Sequence, residues 1–119
     1  MSTMNERLNM PQVDNDTDFR AWLRTKGIDS HYMRMQPMAL KPTQLHATEF
    51  DPRFFHLVDL KRPVIITDDR FILDGHHRVQ AHLHWKTALV PVLVIDRPFD
   101  ADLMNEVKSY PGVAFTGRE

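Results

Sequence analysis

Three features of this 119-residue chain predict an α+β fold: a small mixed β-sheet flanked by helices. The runs Val64-Ile65-Ile66-Thr67 and Phe71-Ile72-Leu73, parted by the turn residues Asp68-Asp69-Arg70, read as a hairpin. Val90–Ile95 is apolar throughout and reads as a central strand buried on both faces. Segments of helical period lie before, between and after these strands.

A chain of this length supports one core. Residues 1–15 are polar and aperiodic and are expected to form a flexible arm; the domain then spans 16–110, and 111–119 form a loosely ordered tail. Asp16 or Thr17 serves as N-cap of a first helix, whose stripe is Phe19, Trp22 and Leu23 and whose stop is Gly27. A strand is placed near 36–41, at a sheet edge because Pro37 has no N–H to give a ladder. Asp51-Pro52 reads as a cap with proline at the first helical position, opening a helix to about residue 60. After the hairpin, a helix runs from the turn 74–78 to about His84, with Val79/Leu83 and Ala81/Trp85 as apolar pairs that bury most of it. Asp100 caps a last helix over 101–109.

Composition excludes several classes. The chain has no cysteine, hence no disulfide framework, thiolate zinc site or thiol chemistry. It has no apolar run long enough to span a membrane, and its start lacks the marks of a signal or transit peptide, so a cytoplasmic location is expected. The net charge of −1 argues against a dedicated duplex-DNA binder, with Lys61-Arg62 only a local basic patch. Ser30 and Ser109 lie at a loop and a helix end, and His31, His46 and His56 read as surface or satisfied histidines.

The chemistry concentrates in Asp74-Gly75-His76-His77-Arg78. A helix start leaves backbone N–H groups unpaired at the positive end of the macrodipole, and a glycine before it lets an anion approach. Arg78 can grip a phosphate with two parallel hydrogen bonds, and the imidazoles of His76 and His77 can donate more. Asp74 fits as N-cap, as Mg²⁺ ligand or as base for an incoming hydroxyl. The rival is zinc, since His76, His77, His82 and His84 crowd one region. None of them stand at i and i+4, so zinc requires further ligands from Asp74, Asp68 or Glu49.

The hairpin with Asp74-Gly75-His76-His77-Arg78-Val79-Gln80-Ala81, followed by one helix and a strand, resembles the ParB/sulfiredoxin superfamily over about residues 35–95. That group holds the N-terminal domain of partition proteins, sulfiredoxin, free-serine kinases and small phage and plasmid "ParB-like nuclease" proteins. Partition proteins bind CTP phosphates with Gly-Glu-Arg-Arg, which Gly75 and Arg78 match. Sulfiredoxin binds ATP with Gly-Gly-Cys-His-Arg, which Gly75, His77 and Arg78 match, while His76 stands where its catalytic cysteine belongs. The free-serine kinases have Asp-Gly-x-His-Arg, matched at Asp74, Gly75, His77 and Arg78, and an acid after the first strand, for which Glu49 is the nearby glutamate. The Gln-Pro-Arg element of partition proteins is lacking after Leu40, which weighs against a DNA-clamp role.

Turn and resemblance together imply a domain that binds ATP or CTP with Mg²⁺, a phosphotransferase or NTPase resembling the free-serine kinases. Gly75, His76, His77 and Arg78 would hold the phosphates, with the Thr43-Gln44 turn against the nucleotide. Asp74, His77 and Glu49 are the expected catalytic residues, Asp74 placing Mg²⁺ or the hydroxyl of a small-molecule or protein acceptor. The alternatives are a nuclease using Asp68, Asp69 and Asp74, and a non-enzymatic phage-type regulatory module docking through Met33, Met35 and Met38.

Overall fold

The computed structural model describes residues 11–43 and 58–115. Their order is β1 (Pro11–Val13), α1 (Asp16–Thr25), β2 (Ser30–Met35), a one-turn 3₁₀ helix (Pro37–Ala39), β3 (Val64–Thr67), β4 (Ile72–Asp74), α2 (His76–His84), β5 (Val90–Ile95), α3 (Ala101–Lys108) and β6 (Val113–Phe115). The main sheet has the order β2-β5-β3-β4. β5 runs antiparallel to β2 and parallel to β3, and β3 and β4 form the expected antiparallel hairpin. This is the α+β architecture that the hydrophobic pattern predicts, with β5 inside the sheet.

Alternation along β3 and β5 divides the core into two layers. Ile65, Leu93 and Ile95 face one side, where Phe19 and Leu23 of α1 and Leu103 and Val107 of α3 cover them. Val64, Ile66, Val92 and Val94 face the other side, with Ile72, Leu40 and Val79 of α2. Both faces are covered, which is why β3 and β5 read as continuous apolar runs rather than alternating ones.

Local chemistry sets the helix ends. The Asn15 side chain accepts the Asp18 N–H at 3.0 Å, so the cap of α1 lies one residue before the expected Asp16. Gly27 leaves the helix at φ +76°, as its stop role requires. Asp100 accepts the Leu103 N–H at 2.8 Å and caps α3 as expected.

Three expectations need correction. The edge strand lies at Ser30–Met35, not 36–41; Pro37 instead opens the 3₁₀ turn, where its missing N–H costs nothing. Residues 11–13 do not belong to a loose arm, nor 113–115 to a loose tail: β1 and β6 pair antiparallel as a separate two-stranded ribbon. Val13 and Tyr110 fix that ribbon to the α1/α3 layer, because both are buried in its core. Finally, α2 is less apolar on its buried side than expected. Leu83 and Trp85 are exposed, whereas His76, Arg78 and His82 are buried with Val79 and Ala81.

Of the helix expected from Asp51, only 58–60 are described, and these form a bend and a turn. Its remainder lies outside the described residues, as do Gln44, His46, Glu49 and His56.

Candidate anion site at the start of α2

β4 ends on Asp74 and α2 begins at His76, so Gly75 makes the whole turn. Its φ of +112° and ψ of 24° suit glycine alone without strain. A Cβ there would also lie 2.9 Å from an Arg78 terminal nitrogen, because the guanidinium folds back over Gly75. Gly75→Ala is therefore expected to destabilise the fold by roughly 1–3 kcal/mol through backbone strain and displacement of Arg78. Urea unfolding of the variant checks this.

Successive helical residues project about 100° apart, and the turn is accordingly split three ways. Arg78 and Asp74 point to the β1 side, with their side chains each only 11 % exposed and 3.8 Å apart. Asp74 also accepts the Val13 N–H at 2.9 Å. His76 points to the opposite side and is buried, its Nε2 accepting the Thr43 N–H at 3.1 Å while the Thr43 hydroxyl donates to the Ile72 carbonyl at 2.5 Å. That pairing places the ring proton on Nδ1 in the neutral tautomer. His77 projects outward and is exposed. The structure thus joins Thr43 to the turn, but through His76 rather than as part of a common phosphate cradle.

On the β1 side stands a residue that the sequence marked only as part of a basic patch. Arg62 reaches the Val13 carbonyl at 2.8 Å and lines, with Arg78 and Asp74, a shallow pocket of about 360 Å³ closed by residues 12–14 and Gly112. Arg78 donates to the Pro63 carbonyl at 3.3 Å, and its buried Nε has no acceptor. The N-cap of α2 is Gly75, which has no side chain to cap it. Two guanidinium groups, Arg62 and Arg78, and two carboxylates, Asp74 and Asp14, therefore line this corner.

Burial dominates the titration of the site. It raises Asp74 above the usual carboxylate value, against the pull of Arg78, and lowers Arg78, against the pull of Asp74. Burial likewise holds His76 down to about 4, assisted by His77 and Arg78. His77 and His82 are lowered from the same leading cause. His82 makes no hydrogen bond through either ring nitrogen.

The depressed His76 has a consequence for stability. Unfolded, the ring takes its proton near 6.5; folded, only near 4. The unfolded state therefore binds more protons in that window, and stability present above 6.5 declines as pH falls toward 4. His82 acts with the same sign, and the raised Asp74 acts oppositely. Comparing urea midpoints at pH 7 and 5 for the wild type and His76→Gln isolates the His76 share, and the variant is expected to lose less on acidification.

Among the described residues, the acids and histidines considered for metals do not converge. Asp68 and Asp69 sit at the turn of the β3–β4 hairpin, the end opposite Asp74. Asp69 is engaged there, close against the Thr67 hydroxyl and accepting the Phe99 N–H at 3.2 Å. Among the described residues no group of three His, Asp or Glu could hold a metal ion. The zinc reading and the nuclease acid cluster find no geometry in the described residues. Of the three methionines, Met33 and Met38 are exposed while Met35 packs on the core.

Fold and site define a small α+β domain with a buried arginine–aspartate pair at a helix start led by glycine. No family model matches the chain, and no curated protein matches it. Among solved structures it is similar to a Pnob8-like ParB-N domain, with TM-score 0.47 and 13% identity over 67% of this chain and 34% of that one. The chain thus spans about a third of that domain structure's length. No described helix is long and apolar enough to cross a membrane.

Proposed function

We propose that this domain binds a phosphate-bearing ligand, a nucleotide first of all, in the corner between the start of α2 and the Arg62–Arg78 pocket. The observation that carries this reading is Arg78, a buried guanidinium facing the pocket with an unpartnered Nε in the first turn of a helix that starts on glycine. A buried donor left without an acceptor is expensive, and a phosphate oxygen supplies the acceptor that the protein does not. Arg62 supplies a second cation at the same pocket.

The roles of the turn are revised accordingly. Arg78 and Arg62 hold the phosphate, and Gly75 lets Arg78 fold over the turn. His76 positions the Thr43 segment and does not donate through Nε2. Asp74 aligns Arg78. It does not fit a Mg²⁺ ion, because its carboxylate accepts the Val13 N–H and faces guanidinium groups that repel a cation. For phosphoryl transfer, His77 is the solvent-facing member of the turn, and partial desolvation with Arg78 nearby favours its neutral form, the state that accepts a proton from a hydroxyl.

Calorimetric titration of ATP, CTP, GTP and inorganic phosphate, without and with Mg²⁺, tests the proposal. Metal-independent binding is expected, weakened about tenfold or more in Arg78→Lys, which keeps the charge but loses the fork. Absence of binding, or equal binding by a folded Arg78→Lys, contradicts it. The exposed Met33 and Met38 favour a second reading, a module that docks a partner protein, and that reading predicts partner capture unaffected by Arg78→Lys.

A further inference from the structure

We infer that β1 is a built-in competitor of the phosphate ligand, and that occupation of the Arg62–Arg78 pocket releases it. This regulation of the site rests on the phosphate-binding reading above.

β1 has two edges, and they are satisfied differently. Toward β6 it is held by strand pairing, with Gln12 opposite Ala114 and the Asp14 N–H donating to the Gly112 carbonyl at 3.1 Å. In an extended chain one residue's N–H and C=O point the same way. Those of Val13 point away from β6, and two side chains take them: Asp74 accepts the N–H at 2.9 Å, and Arg62 donates to the C=O at 2.8 Å. Side chains of the candidate site thus stand where a neighbouring strand would. The same stretch closes the pocket, since residues 12–14 form its far wall.

A phosphate entering this pocket meets the open Nε–H of Arg78 and competes for guanidinium donors now turned to backbone. A bidentate grip turns the Arg62 fork away from the Val13 carbonyl and the Arg78 fork away from the Pro63 carbonyl, a 3.3 Å contact that is easily exchanged. Asp74, a like charge beside the incoming anion, stays paired with Arg78, whereas its hold on the Val13 N–H lasts only while β1 remains in place. The ligand and Val13 therefore draw on the same guanidinium, and each weakens the hold of the other. A remote tie sets the strength of closure: the Tyr110 hydroxyl donates to Asp14 at 3.0 Å, fastening β1 from outside the pocket.

The test uses the full chain with inorganic phosphate as probe. Amide hydrogen exchange by NMR follows Val13, and calorimetry follows affinity in wild type, Val13→Pro and Tyr110→Phe. Val13→Pro removes the N–H that Asp74 holds, and Tyr110→Phe keeps the core ring while removing the hydroxyl. Saturating phosphate is expected to speed Val13 exchange at least tenfold. Val13→Pro is expected to bind phosphate about tenfold more tightly and Tyr110→Phe a few-fold more tightly, the release of one charge-assisted and one ordinary hydrogen bond. Should Val13→Pro fail to fold, Tyr110→Phe and the wild-type exchange measurement decide. Phosphate binding with unchanged Val13 exchange and equal affinities overturns the competitor role while leaving the site intact. No phosphate binding in any of the three proteins overturns the site itself.

Discussion

Arg78→Leu is expected to lower the unfolding free energy by about 3 kcal/mol. Removing one partner of a buried ion pair typically costs about 3–5 kcal/mol, because the remaining charge is left without compensation. The lower end applies here. The Asp74–Arg78 separation of 3.8 Å is long for a direct bond, and Arg62 shares the pocket. Asp74 also keeps the Val13 N–H and can take up a proton, since burial already raises its pKa. The double variant Asp74→Asn/Arg78→Leu removes the orphaned charge and is expected to recover at least about 1 kcal/mol relative to additivity. Urea denaturation of the four proteins of this cycle measures it. An additive result would mean that the two side chains do not act as a pair.

Phe19→Ala is expected to be at least as damaging, at about 4 kcal/mol. Phe19 is completely buried in the α1/α3 layer. Large-to-small changes of aromatic core residues cost about 3–5 kcal/mol through lost transfer energy and the cavity left behind. Its ring also stands edge-on to Tyr110 at 5.0 Å and stacks near Trp22 at 6.1 Å, contacts that no other side chain replaces. The loss reaches beyond α1, because Tyr110 carries the hydroxyl that holds Asp14 and thus β1. Met38→Ala is the matched control: Met38 is 82 % exposed, and its loss is expected to stay within about 0.5 kcal/mol. Urea midpoints with unchanged slope are the readout.

The parts of this fold legible in the sequence are those with local chemical signatures. β3, β5, α2 and α3 announce themselves through β-branched runs, a glycine turn and an aspartate cap, each acting within a few residues. β2 is less legible, since an edge strand with exposed His31, Tyr32, Met33 and Arg34 has neither a β-branched run nor clean alternation. The pairing of Pro11–Val13 with Val113–Phe115 could not be read at all, because three-residue strands from opposite ends of the chain carry no periodicity.

The site divides in the same way. Gly75 and Arg78 follow from the helix start, where glycine geometry and the macrodipole are local matters. That His76, His77 and Arg78 cannot all face one anion was also available, from the angle between successive helical residues. Arg62 was not, since nothing near it in sequence says that Val13 and Asp74 return to meet it. Asp74 illustrates the difference most clearly: as a residue type it suits a metal ligand, and only its burial between Val13 and Arg78 gives it an aligning role.

Two-dimensional NMR of the backbone amides and arginine Nε–H groups during titration with ATP and inorganic phosphate tests the phosphate site most directly. The largest shifts are expected at the amides of Gly75, His76, His77 and Arg78 and at Nε–H of Arg62 and Arg78, saturating together. Shifts that are absent there, or that cluster at another surface such as the Met33–Met38 side, would contradict a phosphate site at the start of α2.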